Sequence, residues 1–179
     1  MSLEGGCSCN AIRYKLTNSP LIVHACHCRD CQRVTGSGFV INIWIEKQFV
    51  ESRGAMPKSV VLKGGTGKDH EAFFCDKCGT YVWSRYAVAP GPEALFVRAG
   101  TLDNPDAVQP DVHIFTRSKL RWVRLPEGSV AFETAGLCDT PFSNQRAFGA
   151  KLSAEATAVV SGEHFGAGCA RSERVGLVS

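Results

Sequence analysis

Cysteine is the residue type whose spacing in this chain points to chemistry. Seven of the nine cysteines fall in three short groups, "CSC" near the N-terminus, "CHCRDC" about twenty residues later and "CDKCGT" near the middle of the chain. The odd total and the crowding within each group argue against a framework of paired disulfides. Clustered thiols of this kind are typical of metal sites, in which thiolate sulfur binds Zn²⁺. The three groups are therefore candidate metal ligands.

The segment "FFCDKCGT" predicts a tight metal-binding turn. Cys75 and Cys78 form a C-x₂-C pair, and the following Gly79 can adopt the positive φ that such a turn requires. This pair supplies two of the four ligands of a tetrahedral zinc site. The remaining two must come from another part of the chain.

Cys7 and Cys9 are the matching pair. Residues i and i+2 of a straight strand lie about 7 Å apart, whereas a tetrahedron with bonds of about 2.3 Å places its sulfur atoms about 3.7 Å apart. The chain must therefore bend, and we expect Gly5 and Gly6 to allow that bend. Joined to the C-x₂-C pair, these cysteines predict a closed, structural four-sulfur site that stabilises the fold.

Cys26, Cys28 and Cys31 form a group of three. Structural zinc is nearly always closed by four protein ligands, whereas catalytic zinc has three and keeps one position for water or substrate. Three thiolates within six residues therefore favour an open, catalytic site.

Two alternatives remain for this group of three. A histidine could close the site as a fourth ligand, and His24, His27 and His113 are the candidates, although His27 lies between two ligating cysteines and should point away from a shared metal. The cysteines could also exchange disulfides, but the thioredoxin-like βαβ pattern that usually accompanies such a motif is missing from the sequence.

The segments that must position these thiols are predicted to be β-strands. "AIRYKLT" alternates apolar Ile12, Tyr14 and Leu16 with Arg and Lys, which is the period of a half-buried strand. "FVINIWI", "SVVLKG", "AFFC", "TYVWS", "ALFVRAG" and "VHIFT" are further candidates, rich in β-branched and aromatic residues. The one plausible short helix is "RDCQRVT", ended by Gly36. These patterns predict a mainly β, antiparallel domain with little helix.

The overall composition is that of a globular protein, but the composition and the hydrophobic periodicity change near residue 133. Hydrophobic residues make up 44% and charged residues 21% of the 179-residue chain, enough for one domain with a core. We expect a domain over residues 1–135 and a loosely ordered extension over 136–179, since the latter has little apolar content. A packed terminal element is the alternative. The extension contains Cys138 and Cys169, which we interpret as free cysteines.

Charge and hydropathy limit the function classes. No run of about 18 apolar residues is present, so nothing in the sequence predicts a membrane span. The N-terminus lacks the basic and apolar regions of a signal peptide, which favours a cytoplasmic location. The formal net charge is +3, and two Zn²⁺ ions bound by seven thiolates would bring it close to zero. A nucleic-acid-binding surface is therefore not expected.

Six segments in a fixed order resemble the glutathione-dependent formaldehyde-activating enzyme family, also called the centromere-protein-V/GFA (CENP-V/GFA) domain. They are "GGCSCNAIRY", "CHCRDCQRVTGSGF", "FFCDKCGT", "YVWS", "VRAGTLDNP" and "HIFTRSKLRWVRLPEG", which together span residues 5–128. The resemblance extends from about residue 5 to 133. It implies an Mss4-like (β-tent) fold, a zinc-stabilised antiparallel sheet with little helix. It also implies a division of the ligands into a structural zinc site, Cys7, Cys9, Cys75 and Cys78, and a catalytic zinc site, Cys26, Cys28 and Cys31.

The resemblance further implies an activity. Members of the family condense glutathione with formaldehyde to S-hydroxymethylglutathione, a carbon–sulfur lyase reaction, so the implied cofactors are two Zn²⁺ per chain and the implied partners are a thiol such as glutathione and a small aldehyde. Two alternatives stay open, since a fold does not fix its substrate. One is a related enzyme with a different thiol substrate. The other is a non-catalytic, zinc-stabilised binding module.

Residues that would contact a substrate are less clearly marked. An anionic tripeptide such as glutathione needs cationic donors, and the matched segments offer five arginines, although each is better interpreted as a solvated or salt-bridged surface group: Arg29, Arg33, Arg98, Arg117 and Arg121. Three tryptophans could cover a substrate or simply pack in the core: Trp44, Trp83 and Trp122. His113 could serve as a general acid or base, or be a hydrogen-bonded strand histidine.

Overall fold

The structure is a computed structural model that describes residues 3–86 and 93–135. Within these ranges, one α-helix accompanies eleven strands, which confirms the prediction of a mainly β domain with little helix. The helix is α1 (Arg29–Thr35). The strands are β1 (Leu3–Gly6), β2 (Ile12–Leu16), β3 (Ile22–Cys26), β4 (Val40–Glu46), β5 (Val50–Gly54), β6 (Lys58–Lys63), β7 (Asp69–Phe74), β8 (Tyr81–Tyr86), β9 (Ala94–Arg98), β10 (Val112–Ile114) and β11 (Val130–Ala131).

The strands form two sheets. The smaller has the order β1-β2-β5, and the larger has the order β11-β10-β3-β4-β9-β8-β7-β6. Neighbouring strands are antiparallel, except that β10 runs parallel to both β3 and β11. The prediction of an antiparallel, mainly β domain is thus confirmed, with a parallel edge that it did not include. That edge forms because the segment between β9 and β10 returns the chain across the sheet.

The centre of the large sheet is buried on both faces. The face toward the small sheet carries Ile43, Ile45 and Val97, which pack with Ile12 and Leu16 of β2, and we call this cluster the inner core. The opposite face carries the second cluster, which we call the outer core and which includes Cys26, Cys28, Trp44, Phe96, Ile114 and Phe115. The strand alternation predicted for β2 is present, with its three apolar residues buried and the intervening residues partly exposed.

The helix lies where the sequence placed it. Cys28 caps its N-terminus, accepting a hydrogen bond at Sγ from the backbone N–H of Cys31. Gly36 ends it in the left-handed conformation, with φ of 65°, which glycine adopts without steric strain. The thiol-rich segment is therefore fixed at both ends by local interactions.

Some expectations fall outside the described residues. The predicted extension over residues 136–179, with Cys138 and Cys169, lies there, as do residues 87–92. Within the described ranges, no helix has the length and hydropathy that a transmembrane span requires.

The inner core should dominate the free energy of unfolding. Ile43→Ala removes a fully buried side chain and should lower the free energy of unfolding by about 2–5 kcal/mol. Val61→Ala, at a side chain that is 63% exposed, should change it by less than about 0.5 kcal/mol. Urea unfolding followed by far-UV circular dichroism measures both. Equal effects of the two substitutions would contradict the assignment of the core.

Candidate metal centres

Four thiols from distant parts of the chain meet at one end of the two sheets. The Sγ atoms of Cys7, Cys9, Cys75 and Cys78 all lie within 4.8 Å of one another. The Cys7–Cys9 sulfur distance is 3.5 Å and the Cys9–Cys75 distance is 3.7 Å. Tetrahedral zinc with sulfur ligands places them about 3.7 Å apart. The donor set and its spacing therefore fit a closed tetrahedral metal site.

A tight turn after β1 brings Cys9 beside Cys7. The backbone N–H of Asn10 donates to the carbonyl of Cys7 over 2.9 Å, and Asn10 has a left-handed φ of 58°. The backbone N–H of Ile12 donates to the sulfur of Cys7 over 3.3 Å. Such N–H donation favours the thiolate form that metals bind.

The expected bend at Gly5 and Gly6 is not where the chain turns. Both residues lie in β1, and the turn follows them. A Cβ atom at Gly5 would lie 2.4 Å from the carbonyl oxygen of Thr101 and 2.5 Å from the Tyr14 hydroxyl. One at Gly6 would lie 2.3 Å from the carbonyl oxygen of Ile12. Close packing of β1 therefore explains both glycines.

The predicted turn around the C-x₂-C pair is confirmed. It connects β7 to β8, and Gly79 has φ of 73° and donates its backbone N–H to the carbonyl of Cys75 over 2.9 Å. The hydroxyl of Thr80 lies 3.2 Å from the sulfur of Cys78. This hydrogen bond, with that of the Thr80 backbone, lowers the pKa of Cys78 to about 5. The turn thus favours the thiolate form of Cys78.

The second cluster joins three thiols on the outer face of the large sheet. Cys26 ends β3, Cys28 caps α1 and Cys31 lies in the first helical turn, and their Sγ atoms lie within 4.8 Å of one another. In residues 3–86 and 93–135, no fourth cysteine, histidine or carboxylate joins this group at that spacing. Hydrogen bonds from the other two thiols lower the pKa of Cys28, whereas hydrogen bonding with Cys28 and burial raise the pKa values of Cys26 and Cys31. The three thiols on their own therefore favour a single thiolate, at Cys28.

The three histidines considered as fourth ligands have other partners. His24 Nε2 lies 3.0 Å from Asn42 Nδ2. Burial, followed by the nearby charge of Arg98, lowers the pKa of His24 to about 3, so its ring is neutral. His27 is fully buried, and its Nε2 lies 3.1 Å from Nδ1 of His113. This contact also makes His113 a hydrogen-bonded strand histidine, the alternative to an acid–base role.

The three-thiol cluster opens into a narrow cavity of about 60 Å³. Its walls come from β3, β4, β8, β9, β10 and the β6–β7 loop, and most of them are apolar. Besides the three cysteines they comprise His24, Asn42, Trp44, Gly65, Thr66, Lys68, Ser84, Tyr86, Phe96, Arg98, Ile114 and Phe115. The cavity can hold a small reacting group next to the thiols.

Of the five candidate arginines, the structure places only Arg98 in this cavity, and its side chain is buried. The other four are exposed and do not line it: Arg29, Arg33, Arg117 and Arg121. Arg29 donates instead to the side-chain oxygen of Gln32 over 2.5 Å.

The tryptophans separate in the same way. Trp44 is 1% exposed and lines the cavity, whereas Trp83 is buried in the inner core. Trp122 is 70% exposed. The interpretation as packing residues therefore holds for Trp83, while Trp44 serves both packing and the cavity wall.

Sequence reasoning missed several cavity residues. Asn42 and Ser84 lie within strands whose opposite faces are both buried, so alternation gave no signal for them. The "GGTGK" loop between β6 and β7 was readable as a turn. The sequence did not show that this loop contacts the thiols. In the structure, a Cβ atom at Gly65 would lie 2.8 Å from Cβ of Cys28.

Comparison with known proteins shows the family. The model of the family described as "Glutathione-dependent formaldehyde-activating enzyme" (GFA) matches residues 2–118, which include all seven clustered cysteines. The chain belongs to this family. A relative from Halomonas elongata, named "Putative glutathione-dependent formaldehyde-activating enzyme", is 27% identical over 133 residues, 70% of this GFA chain and 82% of its own.

Among solved structures, this GFA chain is similar to the crystal structure of a Rhodobacter sphaeroides protein. The TM-score is 0.43 and the identity 22%, and the similarity covers 58% of this chain and 93% of that one.

The two clusters should respond differently to loss of a thiol. Cys75→Ser removes one thiol of the four-sulfur cluster and should prevent folding, because the binding of a structural metal by such a cluster would be coupled to folding. Cys28→Ser should leave a folded protein with one zinc fewer. Metal content by plasma mass spectrometry and urea unfolding test this, with Cys169→Ser as the matched control. Equal loss of stability from Cys75→Ser and Cys28→Ser would contradict the division of roles.

Proposed function

We propose that this chain is a zinc-dependent carbon–sulfur lyase-type enzyme acting on adducts of glutathione with formaldehyde or a similar small aldehyde. The observation that carries the proposal is the three-thiol cluster, which has no fourth ligand at metal spacing among the described residues and opens into a cavity. Family membership supports the same activity.

The proposal assigns two Zn²⁺ ions to the chain. Cys7, Cys9, Cys75 and Cys78 would hold the structural ion, since four thiols complete a tetrahedron. The other ion would be held by three thiols, Cys26, Cys28 and Cys31. We also propose that residues 1–135 form the zinc domain and that 136–179 are an extension to it.

Bound by three thiolates, zinc would accept a substrate thiol and favour its thiolate form, a task that suits a site of net charge −1 better than activating water does. The chain's own residues orient and shield that sulfur. Cys28 and Cys31 are held by the helix cap, and Trp44, Phe96 and Phe115 keep the surrounding cavity apolar. Exclusion of water around the sulfur strengthens the electrostatic interactions within the site.

The mostly apolar part of the cavity next to the thiols suits the reacting thiol carbon and a one-carbon aldehyde. The charged remainder of glutathione would lie at the mouth, where Thr66 and Lys68 of the β6–β7 loop are exposed. Lys68 is a cation placed to contact a glutathione carboxylate.

Glutathione should bind directly to the metal of the three-thiol site. In protein carrying cobalt in place of zinc, adding glutathione should change the visible absorption bands, because a fourth sulfur ligand alters the field at the metal. N-acetylcysteine, a thiol without the flanking residues of the tripeptide, is the comparison. An unchanged spectrum with both thiols would contradict the proposal, and equal affinity for both would favour an enzyme with a different thiol substrate.

Lys68→Ala should weaken substrate binding without altering the reacting centre. We expect KM for glutathione to rise by about 3- to 10-fold with little change in kcat, as loss of a binding contact common to ground and transition states predicts. Lys15→Ala, in the small sheet, is the matched control. A lower kcat with unchanged KM would place Lys68 in the chemistry instead.

A further inference from the structure

A buried positive charge faces the three-thiol cluster from within the same cavity. Arg98, at the end of β9, is 7% exposed, and its guanidinium carbon lies 3.9 Å from the centre of the Tyr81 ring. One of its terminal N–H groups donates to the side-chain oxygen of Asn42. Its Nε is buried and has no hydrogen-bond partner among the described residues.

Sheet register fixes this arginine rigidly. His24, Asn42 and Arg98 lie directly opposite one another on β3, β4 and β9. Because the oxygen of Asn42 accepts from Arg98, its amide nitrogen donates to Nε2 of His24. The guanidinium is therefore held by a row of neutral groups, and no carboxylate in the described residues forms an ion pair with it.

Two further donors line the same cavity and have no hydrogen-bond partner among the described residues. Trp44 and Ser84 stand on either side of Phe96, on β4 and β8, and both are 1% exposed. The Trp44 Nε1 and the Ser84 Oγ are buried and make no hydrogen bond within the described residues. Both residues line the cavity. Buried donors nearly always have acceptors, and three without one around a single cavity indicate a ligand acceptor.

We propose that Arg98, Ser84 and Trp44 form an oxygen-binding subsite that receives the carbonyl oxygen of the aldehyde as it becomes negatively charged. This inference rests on the proposed function and deepens it. A full or developing oxygen anion fits because it matches the charge of the guanidinium and accepts from several donors at once. The subsite shares its cavity with the thiols, as the geometry of thiol addition requires.

The subsite serves the addition of a thiolate to an aldehyde. The sulfur of the substrate thiolate adds to the carbonyl carbon and forms the carbon–sulfur bond, while the carbonyl π pair moves onto oxygen. That oxygen then takes a proton from water, equal to the proton that the thiol released to solvent. Donors fixed around the oxygen stabilise its charge before the proton arrives, and the reverse reaction uses the same contacts.

Ser84→Ala separates this role from a structural one. Its hydroxyl has no partner in the described protein, so removing it should leave the melting temperature unchanged or raised. If the hydroxyl binds the substrate oxygen, kcat/KM should fall by roughly 10²-fold. Ser59→Ala, on the exposed strand β6, is the matched control and should change neither quantity. An unchanged kcat/KM in Ser84→Ala would overturn the role of Ser84.

Binding of small thiols gives a second readout that does not depend on turnover. In the full chain carrying cobalt, mercaptoacetate and ethanethiol compare a thiol with and without an oxygen anion near sulfur. The wild type should bind mercaptoacetate at least about tenfold more tightly, as a buried charge-assisted contact predicts. Arg98→Met should lose this preference and Arg98→Lys should keep part of it, while Arg117→Met, at an exposed site outside the cavity, should keep all of it.

The outcomes distinguish the two proposals. If neither thiol changes the cobalt spectrum of the wild type, the proposed function fails and this inference with it. If both thiols bind with equal affinity, the thiol site stands and the oxygen subsite is overturned. Should Arg98→Met fail to fold, Arg98→Lys and Ser84→Ala decide the question, since both preserve side-chain volume closely.

Discussion

The convergence of four thiols between the two sheets is the constraint on which the rest of this structure depends. Cys9 and Cys78 are exposed, so the hydrophobic effect does not explain why their sulfur atoms lie close to the other two. Four thiolates without a metal would also repel one another. Structural zinc contributes apparent binding free energies of about 10–16 kcal/mol, comparable with the whole net stability of a domain, about 5–15 kcal/mol. With zinc bound there, the metal fixes the small sheet against the large one.

The large sheet connects the four-thiol cluster to the cavity beside the three-thiol cluster. The β7–β8 turn that carries Cys75 and Cys78 leads into the strand that carries Ser84. The opposite end of the β6–β7 hairpin carries Gly65, which contacts Cys28. One hairpin and its neighbour thus connect the two thiol clusters through a continuous sheet, which gives the cavity walls rigid positions. Rigid donors lose little free energy to reorganisation when charge develops on a substrate.

The sequence was informative where local interactions decide structure. The helix α1 and its end at Gly36 follow from a seven-residue segment, and the turn around Cys75 follows from C-x₂-C-G spacing. The division of thiols into four and three followed from ligand counting, and the structure groups the same residues. Whether those groups carry zinc in their assigned roles stays a prediction.

What the sequence could not show depends on contacts between distant segments. The sequence alone could not distinguish the five candidate arginines from one another. Only the register of β4 with β9 reveals that Arg98 lies in the same cavity as the thiols. The parallel position of β10 likewise arises from a crossover that no local pattern encodes. Even the turn at Asn10 was misplaced to the preceding glycines, whose true constraint is the nearby carbonyl of Thr101.

Charge balance in the cavity links these long-range features to chemistry. With Zn²⁺ bound by three thiolates as proposed, the site would carry a net charge of −1, and a fourth thiolate would make it −2 in surroundings of low polarity. His24 is neutral, since burial lowers its pKa to about 3, so it offers no compensation. Among the residues that line the cavity, Arg98 is the buried cation. Under the proposed function its charge would offset that of the three-thiol site, so that an incoming thiolate would meet a nearly neutral cavity, and the same guanidinium would be available to the oxygen of the aldehyde.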